Sequence, residues 1–176
     1  MLIYVHGFNS SPASTKARQL KARLESIGRG SEFSCPALPD RPVEAVTMLE
    51  REIARAPVSA ITLVGSSLGG YYSTWLAEKF GVRAVLVNPA ITPHQGLRAY
   101  LGPQKNLHTG EPYELTQAHL DELAALFVAR PTLGTFMSEP LPADCLSPSS
   151  TLPGGGAGRY VVSWPGVDGV ADTASR

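Results

Sequence analysis

Through residues 1–132 the chain alternates short apolar runs with longer stretches in which apolar positions recur every three or four residues. The apolar runs lie at 2–6, 33–38, 61–64 and 84–88, the last stopped by Pro89. Runs with little polar alternation fit strands buried on both faces. Between the first two, Ala17, Leu20, Leu24 and Ile27 share a helical face. Ser11-Pro12 predicts the cap and first turn of that helix, and Gly28 its C-terminal cap. Pro39-Asp40-Arg41-Pro42 opens a second helix with Val46, Leu49 and Ile53 on its apolar side. Leu68, Trp75, Leu76 and Phe80 mark a third. Alternating strands and helices predict an α/β fold, a parallel sheet flanked by helices. Right-handed crossovers give a spatial strand order of two-one-three-four.

After Pro89 the periodicity loosens. Residues 91–115 hold Pro93, Gly96, Gly102, Pro103, Gly110 and Pro112, with apolar positions at Leu97, Tyr100 and Leu101. A long insertion at the carboxyl ends of parallel strands is expected to cover a pocket. Thr116 predicts the cap of a further helix carrying Leu120, Leu123 and Phe127, ending near Arg130-Pro131.

From Leu133 the character changes abruptly. Residues 133–176 contain no lysine and no histidine, but five prolines and seven glycines. Within them only Tyr160-Val161-Val162-Ser163-Trp164 has strand character. The rest holds too little apolar surface to offset the entropy of ordering and is expected to be disordered. The change reads as a shift of reading frame near codon 132, or else as a genuine divergent ending. The fold is therefore expected to lack its last strands, with the fourth strand left as a sheet edge.

The chemistry sits at two strand ends. Val64-Gly65-Ser66-Ser67-Leu68-Gly69-Gly70-Tyr71 places G-x-S-x-G between a strand and a helix, the setting of a nucleophile elbow. Ser67 is then the candidate nucleophile. Gly65 and Gly69 are required where a side chain would strike the neighbouring strand or helix. The Leu68 amide, at a helix N-terminus, is a candidate oxyanion donor. The first strand runs into His6-Gly7-Phe8-Asn9, and the Phe8 amide is the candidate second donor. His6 and Gly7 are expected to shape that loop, not to react.

Fifteen basic residues balance fifteen acidic ones, which argues against a nucleic-acid or anionic-membrane footprint. No apolar stretch approaches the roughly 18 residues of a membrane span. The first strand begins at once, so no signal peptide is expected, and the reading is cytoplasmic. Cys35 and Cys145 stand far apart, outside any metal-binding spacing, and are expected as free thiols.

Four stretches carry a family resemblance. They are Leu2-Ile3-Tyr4-Val5-His6-Gly7-Phe8-Asn9-Ser10-Ser11, Val64-Gly65-Ser66-Ser67-Leu68-Gly69-Gly70-Tyr71-Tyr72, Val87-Asn88-Pro89-Ala90 and Thr109-Gly110-Glu111-Pro112-Tyr113. With them, residues 1–132 resemble the small bacterial esterases of the YqiA type, the UPF0227 group of the α/β-hydrolase superfamily. The resemblance implies a cofactor-free carboxylester or acyl-thioester hydrolase acting on a small-molecule substrate. It also implies two later strands, one ending in a Gly-Asp turn that supplies an acid, the other followed by a loop that supplies a histidine. In this superfamily the order is serine, acid, histidine.

Neither of those elements is present in the sequence. The last histidine is His119, on a helix ahead of the missing region and expected to be solvated near Glu122. His94 and His108 fall in the insertion without an identifiable acid to orient them. Asp144, Asp168 and Asp172 follow no clear strand, so no acid is assigned. Tyr71, Tyr72 and Trp75 are expected to pack in the core. The resulting expectation is a serine hydrolase by descent with impaired turnover. The alternative is a non-catalytic remnant that binds an acyl ligand or a protein partner through the old pocket.

Overall fold

A computed structural model describes residues 1–127 and 160–162 of the chain. Its centre is a parallel sheet, of five strands among the described residues. The strands are β1 (Leu2–Val5), β2 (Phe33–Ser34), β3 (Thr62–Ser66), β4 (Arg83–Val87) and β7 (Tyr160–Val162), in the order β2-β1-β3-β4-β7. Register runs Ile3↔Leu63 and Val5↔Gly65 between β1 and β3, and Thr62↔Arg83 to Ser66↔Val87 between β3 and β4. The two-one-three-four order read from the apolar runs is the order observed. All four expected strands are present, with ends displaced by one to a few residues, because hydrogen bonding to the neighbour and not hydropathy sets where a strand stops.

The expectation of β4 as an open edge is corrected. Tyr160–Val162 pairs with it in parallel, Val85↔Tyr160, Leu86↔Val161 and Val87↔Val162. This is the one tail stretch with strand character in the sequence. An edge of unpaired N–H and C=O groups is a ready acceptor for such a stretch. The remainder of the expected disordered tail, 133–159 and 163–176, lies outside the described residues.

Helices α1 (Thr15–Ser26), α2 (Pro42–Ile53) and α3 (Leu68–Phe80) connect the strands. Ser14, not Ser11, is the N-cap of α1. Ser11 instead closes a turn, its side chain accepting from the Ala13 amide and its carbonyl from the Ser14 amide. The C-terminus ends as the glycine predicts. Gly28 takes φ +75°, its amide donates to the Glu25 carbonyl, and the Arg29 amide reaches back to Leu24. Pro42 begins α2 at its first position, and Val46, Leu49 and Ile53 are buried. With Ile3, Val5, Leu63, Leu76 and Leu86 they form the core.

The segment after Pro89 is more ordered than its prolines and glycines suggest. It holds a helical turn, α4 (Pro93–Gly96), and an antiparallel hairpin of β5 (Gly102–Lys105) and β6 (Pro112–Leu115). Pro103 and Pro112 are tolerated because each strand of a two-stranded ribbon has one free edge. Gly110 supplies a positive φ of 76° in the connecting loop. Helix α5 (Gln117–Ala125) follows, capped by Thr116 as expected, and packs against α2 and α4.

Candidate active site

Ser67 stands between the end of β3 and the start of α3 with φ 51° and ψ −119°. A positive φ is strained for a residue with a side chain and persists only where neighbours fix it. Here its amide donates to the Val87 carbonyl at 3.1 Å. Its carbonyl accepts from Gly70 at 2.9 Å and from Ala90 at 3.0 Å. The serine backbone is thus bound to both sides of the β4 terminus, where Asn88 also takes a positive φ of 45°.

The glycines make this crossing possible. A β-carbon on Gly65 would overlap the Gly69 carbonyl oxygen and the Ser73 hydroxyl. One on Gly69 would overlap the Val5 carbonyl, and one on Gly70 would lie 2.7 Å from Pro89 Cβ. α3 therefore starts in close contact with the end of β1. At Gly7 the same construction falls 3.1 Å from Ser67 Cβ and 3.6 Å from its Oγ. The loop after β1 lies directly against the serine side chain.

Leu68 is the first residue of α3 and Phe8 follows Gly7 in that loop. Neither amide donates to another described residue. First-turn amides of a helix have no intrahelical acceptor and point outward from the N-terminus.

A sequence model of the Uncharacterised protein family (UPF0227) matches residues 1–146. The chain belongs to that family. The UPF0227 match runs past Thr132, where the periodic α/β pattern ends, into the Pro-rich stretch. Among solved structures the chain is similar to a protein named "Putative hydrolase" from Agrobacterium vitis S4, at 20% identity and a TM-score of 0.58. The match covers 72% of this chain and 61% of that one. It is also similar to a pyrethroid hydrolase from Sphingobium faniae JZ-2, at 16% identity and a TM-score of 0.42, covering 80% of this chain and 63% of that one. This UPF0227 chain therefore spans less than two thirds of either protein. The Agrobacterium likeness shows a shared fold, built here on a parallel sheet flanked by helices.

The histidines of the UPF0227 chain occupy distinct settings. His6 is buried; its Nε2 accepts from the Leu38 amide at 3.1 Å, and its Nδ1 lies 3.2 Å from the Gly7 carbonyl. An accepting Nε2 leaves the proton on Nδ1, which donates to Gly7. Burial holds the ring's pKa below the usual histidine value, partly offset by the Gly7 bond, with nearby His108 lowering it further. Both nitrogens are committed to holding the loop.

The expectation that His119 is solvated is corrected. The side chain is buried because α5 packs its face against α2 and α4. Its Nδ1 accepts from the Thr116 amide at 3.1 Å, completing a capping box. Its Nε2 faces Asp40 Oδ2 at 3.3 Å. His119 thus has an acid partner, but both nitrogens serve the α5 cap and the contact with the turn before α2. His94 packs edge-on against Phe127, and its buried Nδ1 has no hydrogen-bond partner among the described residues. His108 is exposed on the hairpin loop.

Tyr71 and Tyr72 are core residues. Burial raises both hydroxyls, Tyr71 up to about 12, so both stay protonated. Tyr71 donates to the Leu123 carbonyl at 2.6 Å, tying α3 to α5. Trp75 is partly buried under Lys79.

Sequence reasoning missed the residues that hold the loop after β1. Tyr113 Oη donates to Asn9 Oδ1 at 2.6 Å, Asn9 Nδ2 donates to Gln104 at 3.1 Å, and Asn106 Nδ2 donates to the Ser10 carbonyl at 2.8 Å. Asn9 and Tyr113 stand in two of the four stretches that carry the resemblance, but no periodicity relates positions about a hundred residues apart.

Proposed function

We propose that this chain descends from a serine hydrolase of carboxylesters or acyl thioesters and that its own turnover is impaired. The observation that carries the reading is Ser67, held at positive φ on a glycine-lined strand-to-helix crossing with Gly7 against its side chain. In this reading Ser67 Oγ attacks the acyl carbonyl carbon. The Phe8 and Leu68 amides receive the charge that develops on the carbonyl oxygen. The leaving alcohol or thiol departs as the carbonyl re-forms, and water releases the acyl group.

A serine hydroxyl is a weak nucleophile without an adjacent base. The sequence has no histidine after His119, and the ring nitrogens of His6 and His119 are engaged in structural hydrogen bonds. Removing the histidine of a serine triad costs on the order of 10⁶-fold in turnover, with roughly 10³ to 10⁴ over water surviving from binding and the oxyanion donors. The Pro- and Gly-rich composition beyond the family match, which ends at residue 146, supports a shift of reading frame as the cause.

The test is hydrolysis of an activated aryl ester by the full chain and by Ser67→Ala, together with labelling by a serine-directed phosphonate. Slow turnover that Ser67→Ala barely alters, with little labelling, is expected. Restoring the alternative frame in the tail should raise the rate by orders of magnitude and make it depend on Ser67. Fast Ser67-dependent turnover by the unmodified chain overturns the impairment. A frame-restored chain whose turnover ignores Ser67 overturns the hydrolase reading.

A further inference from the structure

The loop that carries Phe8 is held at both ends by groups remote in sequence. At its start, His6 bonds Gly7 and Leu38. At its end stands Asn9, with φ 52°, a left-handed conformation that Asn adopts more readily than most residues but still at a cost. Nearly everything that holds Asn9 comes from the β5–β6 hairpin and the turn before it. Gln104 and Tyr113 are directly opposed across the two strands. Opposed residues of an antiparallel pair project from the same face.

These two side chains grip the two ends of one amide: Tyr113 donates to Asn9 Oδ1 and Gln104 accepts from Asn9 Nδ2. The Asn9 carbonyl accepts from the Leu107 amide at 2.9 Å. Gln104 in turn donates to the Tyr100 carbonyl at 2.6 Å, and the Tyr100 ring meets Phe8 edge-on with centroids 6.0 Å apart. Burial and the nearby Asp40 charge keep the Tyr113 hydroxyl protonated and able to donate.

We infer that Tyr113, acting through Asn9 with Gln104, is a positioning residue that sets the direction of the Phe8 amide beside Ser67. This rests on the reading of Phe8 as an oxyanion donor. Such donors work only within about 2.7–3.1 Å of the oxygen they stabilise. Gly7 has no side chain to lock its own backbone, so the peptide between Gly7 and Phe8 is fixed by what holds its two ends. His6 fixes one and the hairpin the other. The insertion after Pro89 is then a buttress of the site.

Tyr113→Phe in the full chain removes one hydroxyl and keeps the ring. The readouts are the backbone amide resonances of Phe8 and Leu68, in the free chain and during titration with phenylboronic acid, whose boron accepts a serine oxygen to form a tetrahedral adduct. The variant should move the free-state Phe8 resonance and leave Leu68 in place. It should weaken boronate affinity about tenfold, less than the 10²–10³ lost with an entire oxyanion donor. Gln104→Leu, which releases the other end of the Asn9 amide, should act in the same direction, and it decides the matter if Tyr113→Phe does not fold. A Phe8 resonance unchanged in both variants, even with a lowered melting temperature, overturns the proposal and leaves the hairpin a purely structural brace. Boronate that shifts Leu68 but not Phe8 in the unmodified chain counts against Phe8 as an oxyanion donor instead, and the free-state Phe8 resonance still decides the positioning.

Discussion

A single backbone conformation at Ser67 and a single ring at His6 illustrate how little freedom the site retains. The serine is held by bonds to Val87, Gly70 and Ala90, and the histidine by Leu38 and Gly7. His6 also gives the chain a pH signature. Burial favours the neutral ring, so the unfolded chain takes up this proton more readily than the folded one. The stability it contributes is complete above the ordinary histidine value of 6.5 and is lost as pH falls through the depressed folded value. Urea unfolding from pH 8 to 5 should show stability falling below pH 6.5. The decline should be shallower in His6→Asn, which is less stable at pH 8 but has no ring to protonate. Parallel pH profiles for the two proteins would show that His6 is not the group responsible.

Among the elements, α5 shows how a helix with weak internal support is held in place. It has nine residues, short for an isolated helix, so its stability must come from its cap and its contacts. Thr116 and His119 close the first turn, Arg41 and the Val43 amide bond Glu122, and Tyr71 donates to Leu123. Thr116→Ala removes the capping side chain and also loosens the His119 ring that faces Asp40. A loss of about 0.5–2 kcal/mol is expected, the range for N-cap truncation, measured as a lower urea midpoint with an unchanged slope. An unchanged midpoint would mean that burial of Leu120 and Leu123 alone fixes the helix. Thr116 was readable as a cap because N-cap chemistry is local. The role of His119 was not, since it depends on α5 lying against α2 and on Asp40, 79 residues away.

Across the whole molecule, the sheet is completed by a segment far from it in sequence. β7 takes the outer edge of β4, which would otherwise present unpaired backbone groups beside the Ser67 crossing. Ending the chain at Arg159 should therefore raise amide exchange at Val85, Leu86 and Val87 and promote association on warming, because an uncovered apolar edge templates pairing with other chains. Exchange at those three residues equal to that of the full chain would show that the pairing contributes no protection. No helix among the described residues is long and apolar enough to cross a membrane.

The sequence alone determined the parallel α/β architecture, the order of the first four strands, and Ser67 as the residue at the crossing. Each follows from information that is local. Apolar runs define strands, recurrent apolar positions define helices, and G-x-S-x-G specifies a turn whose glycines admit no side chain. The tertiary structure decided what local pattern could not encode: the hairpin hidden among prolines and glycines, the burial of His119, the pairing of Tyr160–Val162 with β4, and the grip of Gln104 and Tyr113 on Asn9. Apart from the hairpin, whose two strands are close in sequence, those features join residues from roughly 75 to more than 100 positions apart. Such contacts exist only once the sheet has brought the two stretches together, because the hydrogen bonds that define them are made between chain segments and not within either one.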